Sequence, residues 1–93
     1  MNRPYRILES VQTGMTDSPN PVPFSGHKPY PIRLYSEHPF IYFRGSDAGV
    51  NDTPVAGGHA EYIAALGPDE LLQVMLFPGD TDATIYAAYI QFA

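Results

Sequence analysis

The chain has no cysteine among its 93 residues. That excludes disulfide bridges, cysteine-ligated zinc and thiol nucleophiles, and it permits a reducing compartment. Basic residues are scarce too. Arg3, Arg6, Lys28, Arg33 and Arg44 stand against ten carboxylates, and a net charge of −5 leaves no basic stripe to neutralise phosphates, so nucleic acid is not an expected ligand. No apolar run approaches the ~20 residues of a membrane-spanning helix. The opening MNRPYRILESVQTG is too interrupted for the apolar core of a secretion signal, and the expectation is a soluble intracellular product without membrane contact. Helix-length stretches are also few, because ten prolines and eight glycines break the chain every few residues.

What remains is apolar and aromatic. A hydrophobic content of 44%, with 13% aromatic residues, is too high for a disordered chain. A single domain of this length buries only about 60–65% of the surface its unfolded form exposes. The core is therefore thin, and without disulfides the expected reinforcement is assembly with neighbours.

Along the chain, Pro4 to Val11 reads as a strand in which the adjacent pair Ile7 and Leu8 spoils the alternation. Residues 13–31 hold five prolines and two glycines, so they read as an extended arm or loop and, with what precedes them, as an N-terminal segment 1–31 set apart from a core at 32–93. The apolar residues Val22, Phe24 and Tyr30 in that arm need a surface to cover, either the chain's own core or a neighbour. Removing residues 1–31 is expected to weaken assembly more than folding. Ile32 to Ser36 and Phe40 to Arg44 read as two antiparallel strands around a His38-Pro39 break, and residues 45–58 as a broad loop. In His59 to Leu66 alanine and glutamate favour a helix, while the short length between Gly-Gly and Gly-Pro suits a strand. A strand is the expectation, closed by a turn at Gly67-Pro68-Asp69-Glu70. Leu71 to Phe77 is apolar on both parities except at Gln73, as suits a strand in mid-sandwich. After a turn at residues 78–82, Thr84 to Phe92 ends the sheet with two apolar faces, Ile85/Ala87/Tyr89 and Tyr86/Ala88/Ile90/Phe92. Five or six short strands without αβ alternation define an all-β protein, a small antiparallel sandwich or barrel with a proline-rich N-terminal arm.

No pattern in the chain carries catalysis. His27, His38 and His59 lie in separate segments without metal-ligand spacing, and His59-Ala60-Glu61 matches part of a zinc-deaminase motif whose cysteine ligands are missing. Asp80 and Asp82 sit two apart, without the further oxygens of a calcium loop, and suit a capped turn. No G-x-S-x-G frames any of the five serines, and Gly57-Gly58-His59 belongs to no phosphate-binding pattern. The expectation is a non-enzyme with no catalytic residue, no metal, no cofactor and no small-molecule substrate.

The aromatics remain as candidates. Phe40-Ile41-Tyr42-Phe43 is the densest patch, and alternation on a strand sends half of any such run into the core. The candidate interface is Tyr5, Val22, Phe24, Tyr30, Tyr35 and Tyr42, and a carbohydrate platform from exposed members of Tyr35, Tyr42, Tyr62 and Tyr86 is the alternative.

The order IRLYSEHPFIYFRGSDAG, a loop, TPVAGGHAEYIAALGPDELLQVML and a last β run resembles small virion proteins of tailed bacteriophages over residues 32–92. Pro54 to Ile63 carries the central piece, and Gly67-Pro68-Asp69 its closing turn in swapped Gly/Pro order. The resemblance implies a β-sandwich of the head or tail module: a capsid decoration (cement) or minor capsid protein, a head–tail connector, or a tail or spike part. Its implied partners are further copies of the chain and a major capsid or other virion protein, with assembly in the host cytoplasm. It supplies no catalytic residue, and residues 1–31 fall outside it.

Overall fold

A computed structural model describes residues 4–45 and 52–92. Within them the chain forms eight strands and no helix: β1 (Tyr5–Met15), β2 (Asn20–Pro21), β3 (Ile32–Tyr35), β4 (Phe40–Gly45), β5 (Asp52–Val55), β6 (Glu61–Ile63), β7 (Leu71–Leu76) and β8 (Ala83–Phe92). They make two antiparallel sheets, the first ordered β1-β8-β3-β6 and the second β2-β7-β4-β5. The protein is thus a small all-β sandwich, and its strand order is that of a jelly roll, two Greek keys closed face to face. Its least dimension is 20 Å, which fits two layers about 10 Å apart with their outer side chains.

Alternation builds the core. Ile32 and Leu34 of β3, Phe40 of β4, Leu72, Val74 and Leu76 of β7, and Ile85, Ala87 and Tyr89 of β8 all turn inward and are buried. The Ile7-Leu8 irregularity is a β-bulge: β1 pairs with β8 at ten positions, and the register slips between Ile7 and Glu9. Leu8 is thereby free to pack against the core while Ile7, opposite Ile90, takes the outward face.

Several expectations change. The N-terminal segment does not stand apart from the sandwich, since β1 is an edge of the first sheet and β2 an edge of the second. The prolines keep β2 to two residues without stopping the chain from joining the fold. The strands β3 and β4 do not pair with each other. They lie in opposite sheets, because the chain crosses the sandwich at residues 36–39, where the Oγ of fully buried Ser36 accepts a hydrogen bond from the His38 amide at 3.2 Å. β5 forms inside the expected loop at residues 45–58, whose residues 46–51 lie outside the described ones. Only Glu61–Ile63 of the expected strand at residues 59–66 is a strand. β8 is not the margin of its sheet but its interior, between β1 and β3.

Residues 22–30 form a strap across the gap between the sheets. Val22 donates its amide to Leu72 on β7 at 3.1 Å, and Phe24 lies against Tyr89 on β8 with ring centroids 4.1 Å apart. Lys28 places its Nζ 2.9 Å from the Glu9 carboxylate and 5.6 Å from the Tyr89 ring centroid, while Ser25 donates its amide to Glu9 at 2.8 Å. The strap therefore covers the chain's own core.

Deleting residues 1–31 removes β1, β2 and the strap and bares one side of β8, so the truncated chain loses its cooperative thermal transition by circular dichroism. A melt like that of the intact chain contradicts the assignment. At Gly57, a Cβ would run into the carbonyl oxygen of Glu37 in backbone that cannot yield cheaply. Gly57→Ala is expected to destabilise by about 1–3 kcal/mol, the usual cost of overpacking, measured by denaturant unfolding.

Candidate interaction surface

An antiparallel sheet with one face on a core ordinarily shows polar residues on the other. The first sheet does not. Register places Tyr5 opposite Phe92, Ile7 opposite Ile90, Ser10 opposite Ala88 and Gln12 opposite Tyr86 on its outward side. β3 adds Arg33 opposite Ala88 and Tyr35 opposite Tyr86, and β6 adds Tyr62 opposite Arg33. Among the described residues, four of the five exposed large hydrophobics (Ile7, Tyr62, Tyr86 and Phe92) lie on this one face. Such clustering, rather than single exposed apolar residues, marks an interaction surface.

The face is ordered by its own contacts. Tyr5, Tyr62 and Phe92 form a triangle with ring centroids 6.1, 6.4 and 6.3 Å apart, in edge and tilted geometries that favour aromatic pairs. Tyr35 and Tyr86 form a second pair at 6.4 Å. The Arg33 guanidinium lies 5.5 Å from the Tyr35 ring centroid, and its Nε is buried without a hydrogen-bond partner among the described residues. Ile90 is fully buried and Ala88 nearly so, although both point away from the core. The outward row of β8 is therefore a packed layer and not a scatter of exposed side chains.

Negative charge is segregated from this layer. No outward position of the first sheet is a carboxylate, although the chain has ten, because Glu9 and Glu61 fall on the inward parity opposite Tyr89 and Leu34. The composition, four tyrosines, a phenylalanine and one arginine, is that of residues that anchor protein interfaces.

Of the residues expected at an interface, Tyr5 and Tyr35 stand on this face. Val22, Phe24, Tyr30 and Tyr42 are partly buried against the chain's own core. Ile7, Arg33 and Phe92 were missing from that set, as were Tyr62 and Tyr86, which entered only the carbohydrate alternative. For Tyr86 and Phe92 the signal is the two-sided apolar pattern of residues 84–92, which requires either a middle layer or a covered outer face.

Elsewhere the structure offers less chemistry. Among the described residues no three His, Asp or Glu side chains converge as a metal site. A groove of about 310 Å³ lies beside the strap, lined by Val22, Phe24, His27, Leu66, Leu72 and Tyr89 among others. His27 places its Nε2 2.7 Å from the Leu66 carbonyl at this groove. A polar hollow between Glu37, His38 and Asp82 sits near fully buried Ser36, whose Oγ is already engaged by the His38 amide.

Close to the groove, Arg44 ties β4 to the segment after β6. It donates to the Ala64 and Ala65 carbonyls, each at 3.1 Å, and to both carboxylate oxygens of Glu70 at 2.9 and 3.1 Å. The Arg44 hydrogen bonds, and then the Gly67 amide, hold the Glu70 carboxyl down from its ordinary 4.5 to about 2. A depressed folded-state value means that ionised Glu70 favours the fold: its contribution is whole above about pH 4.5 and is lost as pH falls towards about 2. Glu70→Gln is expected to lower stability modestly at neutral pH, the side chains of the pair being 26% and 32% exposed, and to flatten the acid limb of the stability curve in that window. Urea unfolding across a pH series checks it. An unchanged acid limb would remove the clip from the account.

No family model matches the chain, and no curated protein and no solved structure is similar to it at a significant level.

Proposed function

We propose that the chain is a structural subunit that works by protein–protein contact through the outward face of its first sheet, and that its setting is a virion. In this reading it is a capsid decoration or minor capsid protein of a tailed bacteriophage, stabilising the head through contacts with a major capsid protein. The observation that carries the contact function is the acid-free aromatic layer around Arg33 on a chain of net charge −5. The virion setting is supported by the sequence resemblance over residues 32–92. The jelly roll is compatible with it, since capsid domains use this architecture, but lectins and cupins use it as well. A connector, tail or spike part would share the same contact chemistry and differ in copy number.

The test is binding to capsids depleted of the chain. The double variant Tyr62→Ser/Phe92→Ser is expected to bind at least about 30-fold more weakly than the wild type, as for loss of a hot spot worth about 2 kcal/mol or more, while Asp80→Asn binds normally. Equal binding by all three proteins would sink the assignment of the face. Hundreds of copies per particle support decoration, and a dozen or fewer support a connector or spike. The exposed rings of Tyr62, Tyr86 and Phe92 also suit a sugar-stacking platform, and a glycan array without hits dismisses that reading.

A further inference from the structure

A β-sandwich of two open sheets has four edge strands, and each edge is a template for pairing with another chain unless it is blunted. Three of the four are blunted here. β2 is two residues long and ends in Pro21, β5 is four residues with Pro54 inside it, and β6 is three residues that include Glu61. β1 differs. It runs for eleven residues without a proline, and its only charges, Arg6 and Glu9, flank the bulge at Leu8. From Ser10 to Met15 it pairs with β8 without a register shift and carries no charge. Among the described residues, no backbone group of residues 10–15 bonds to anything beyond β8.

We infer that residues 10–15 of β1 are a dimerisation edge: two copies of the chain pair there antiparallel about a two-fold axis, joining their first sheets into one eight-stranded sheet. The inference stands independently of the virion reading.

The occupant is a second copy for three reasons. An isologous contact must match its own reverse. An axis at Gln12 sets Ser10 opposite Gly14, Val11 opposite Thr13 and Met15 opposite Glu9, small polar facing small and β-branched facing β-branched, with no like charges opposed. Secondly, two chains of net charge −5 repel, so contact is favoured where carboxylates are missing, and the outward side of the first sheet together with residues 10–15 is such a region. The nearest carboxylate on the strand, Glu9, is already neutralised by Lys28 at 2.9 Å. Thirdly, pairing continues a surface already built: the Tyr5/Tyr62/Phe92 triangles of both copies come to lie on one sheet face.

The native absence of cysteine makes the test clean. Gln12→Cys under mild oxidation is expected to give a covalent dimer, since directly opposed strand positions lie within disulfide reach. A mixture of Ser10→Cys and Gly14→Cys chains is expected to cross-link to each other in preference to themselves. In sedimentation equilibrium the wild type runs at twice the chain mass, and Gln12→Lys, which sets like charges face to face, raises the dissociation constant at least about tenfold with its melting transition retained. If Gln12→Lys does not fold, the cysteine pairs and protection of the residue 10–15 amides at high protein concentration still decide. A wild type that stays monomeric at millimolar concentration overturns the inference. So does a dimer that neither cross-links at these positions nor responds to Gln12→Lys. Protection of those amides only on adding another protein would reassign the edge to a foreign strand and equally defeat it.

Discussion

Everything in this fold depends on β8 lying between β1 and β3. Ten positions of β8 pair with β1, at the other end of the chain, while Tyr86, Ala87, Ala88 and Tyr89 also pair with β3. The first sheet therefore cannot close until the last strand is in place between partners separated by most of the sequence. A fold with such non-local pairing assembles slowly compared with one built from adjacent hairpins. The strand also serves both sides of the sheet at once. Ile85, Ala87 and Tyr89 fill the sandwich, and Tyr86, Ala88, Ile90 and Phe92 build the outward layer. Core and candidate surface thus share one backbone, and the surface inherits its rigidity from the core.

Local pattern made the strands legible but not their partners. The alternation at Ile32 to Ser36, the apolar run from Leu71 to Phe77 and the two faces of Thr84 to Phe92 each correspond to a strand. What alternation does not encode is which strand lies alongside. β3 and β4 follow each other closely and would pair in a meander, yet buried Ser36 marks a crossing between sheets. The proline-rich stretch shows a related limit. Proline removes donors and so predicts an interrupted ladder, but it says nothing about where the chain then lies. Here residues 22–30 turn back over Tyr89, and Phe24 serves the core that the sequence taken alone left it free to ignore.

The candidate surface was half legible for the same reason. Tyr5 and Tyr35 could be picked out as aromatic residues on strands, but whether a ring faces in or out depends on register, and register comes from the partner strand. Tyr42, from the densest aromatic run, faces inward opposite Val74. Tyr62, on a three-residue strand, reaches the surface only because β6 pairs with β3 so that its middle residue meets Arg33. Arg33 itself carried no local signal. A lone arginine in an alternating strand reads as a solvated residue until its neighbours prove to be rings.

The distribution of charge adds the last step. Of the five basic residues, Lys28 is held by Glu9, Arg44 by Glu70 and two carbonyls, and Arg6 by Gln91 at 2.8 Å. Among the described residues Arg33 lies over the Tyr35 ring, and its buried Nε lacks an acceptor. A buried donor without an acceptor is costly. The carboxylates, kept off the outward side of the first sheet, cannot supply one from within that layer. A neighbour presenting a carbonyl or carboxylate over Arg33 would meet the accessible part of its guanidinium among the tyrosine rings, where a charge-assisted hydrogen bond is stronger than one between neutral groups. The acid-free aromatic layer and the lone guanidinium within it are thus features of one face, and they are the ground on which the proposed contact function rests.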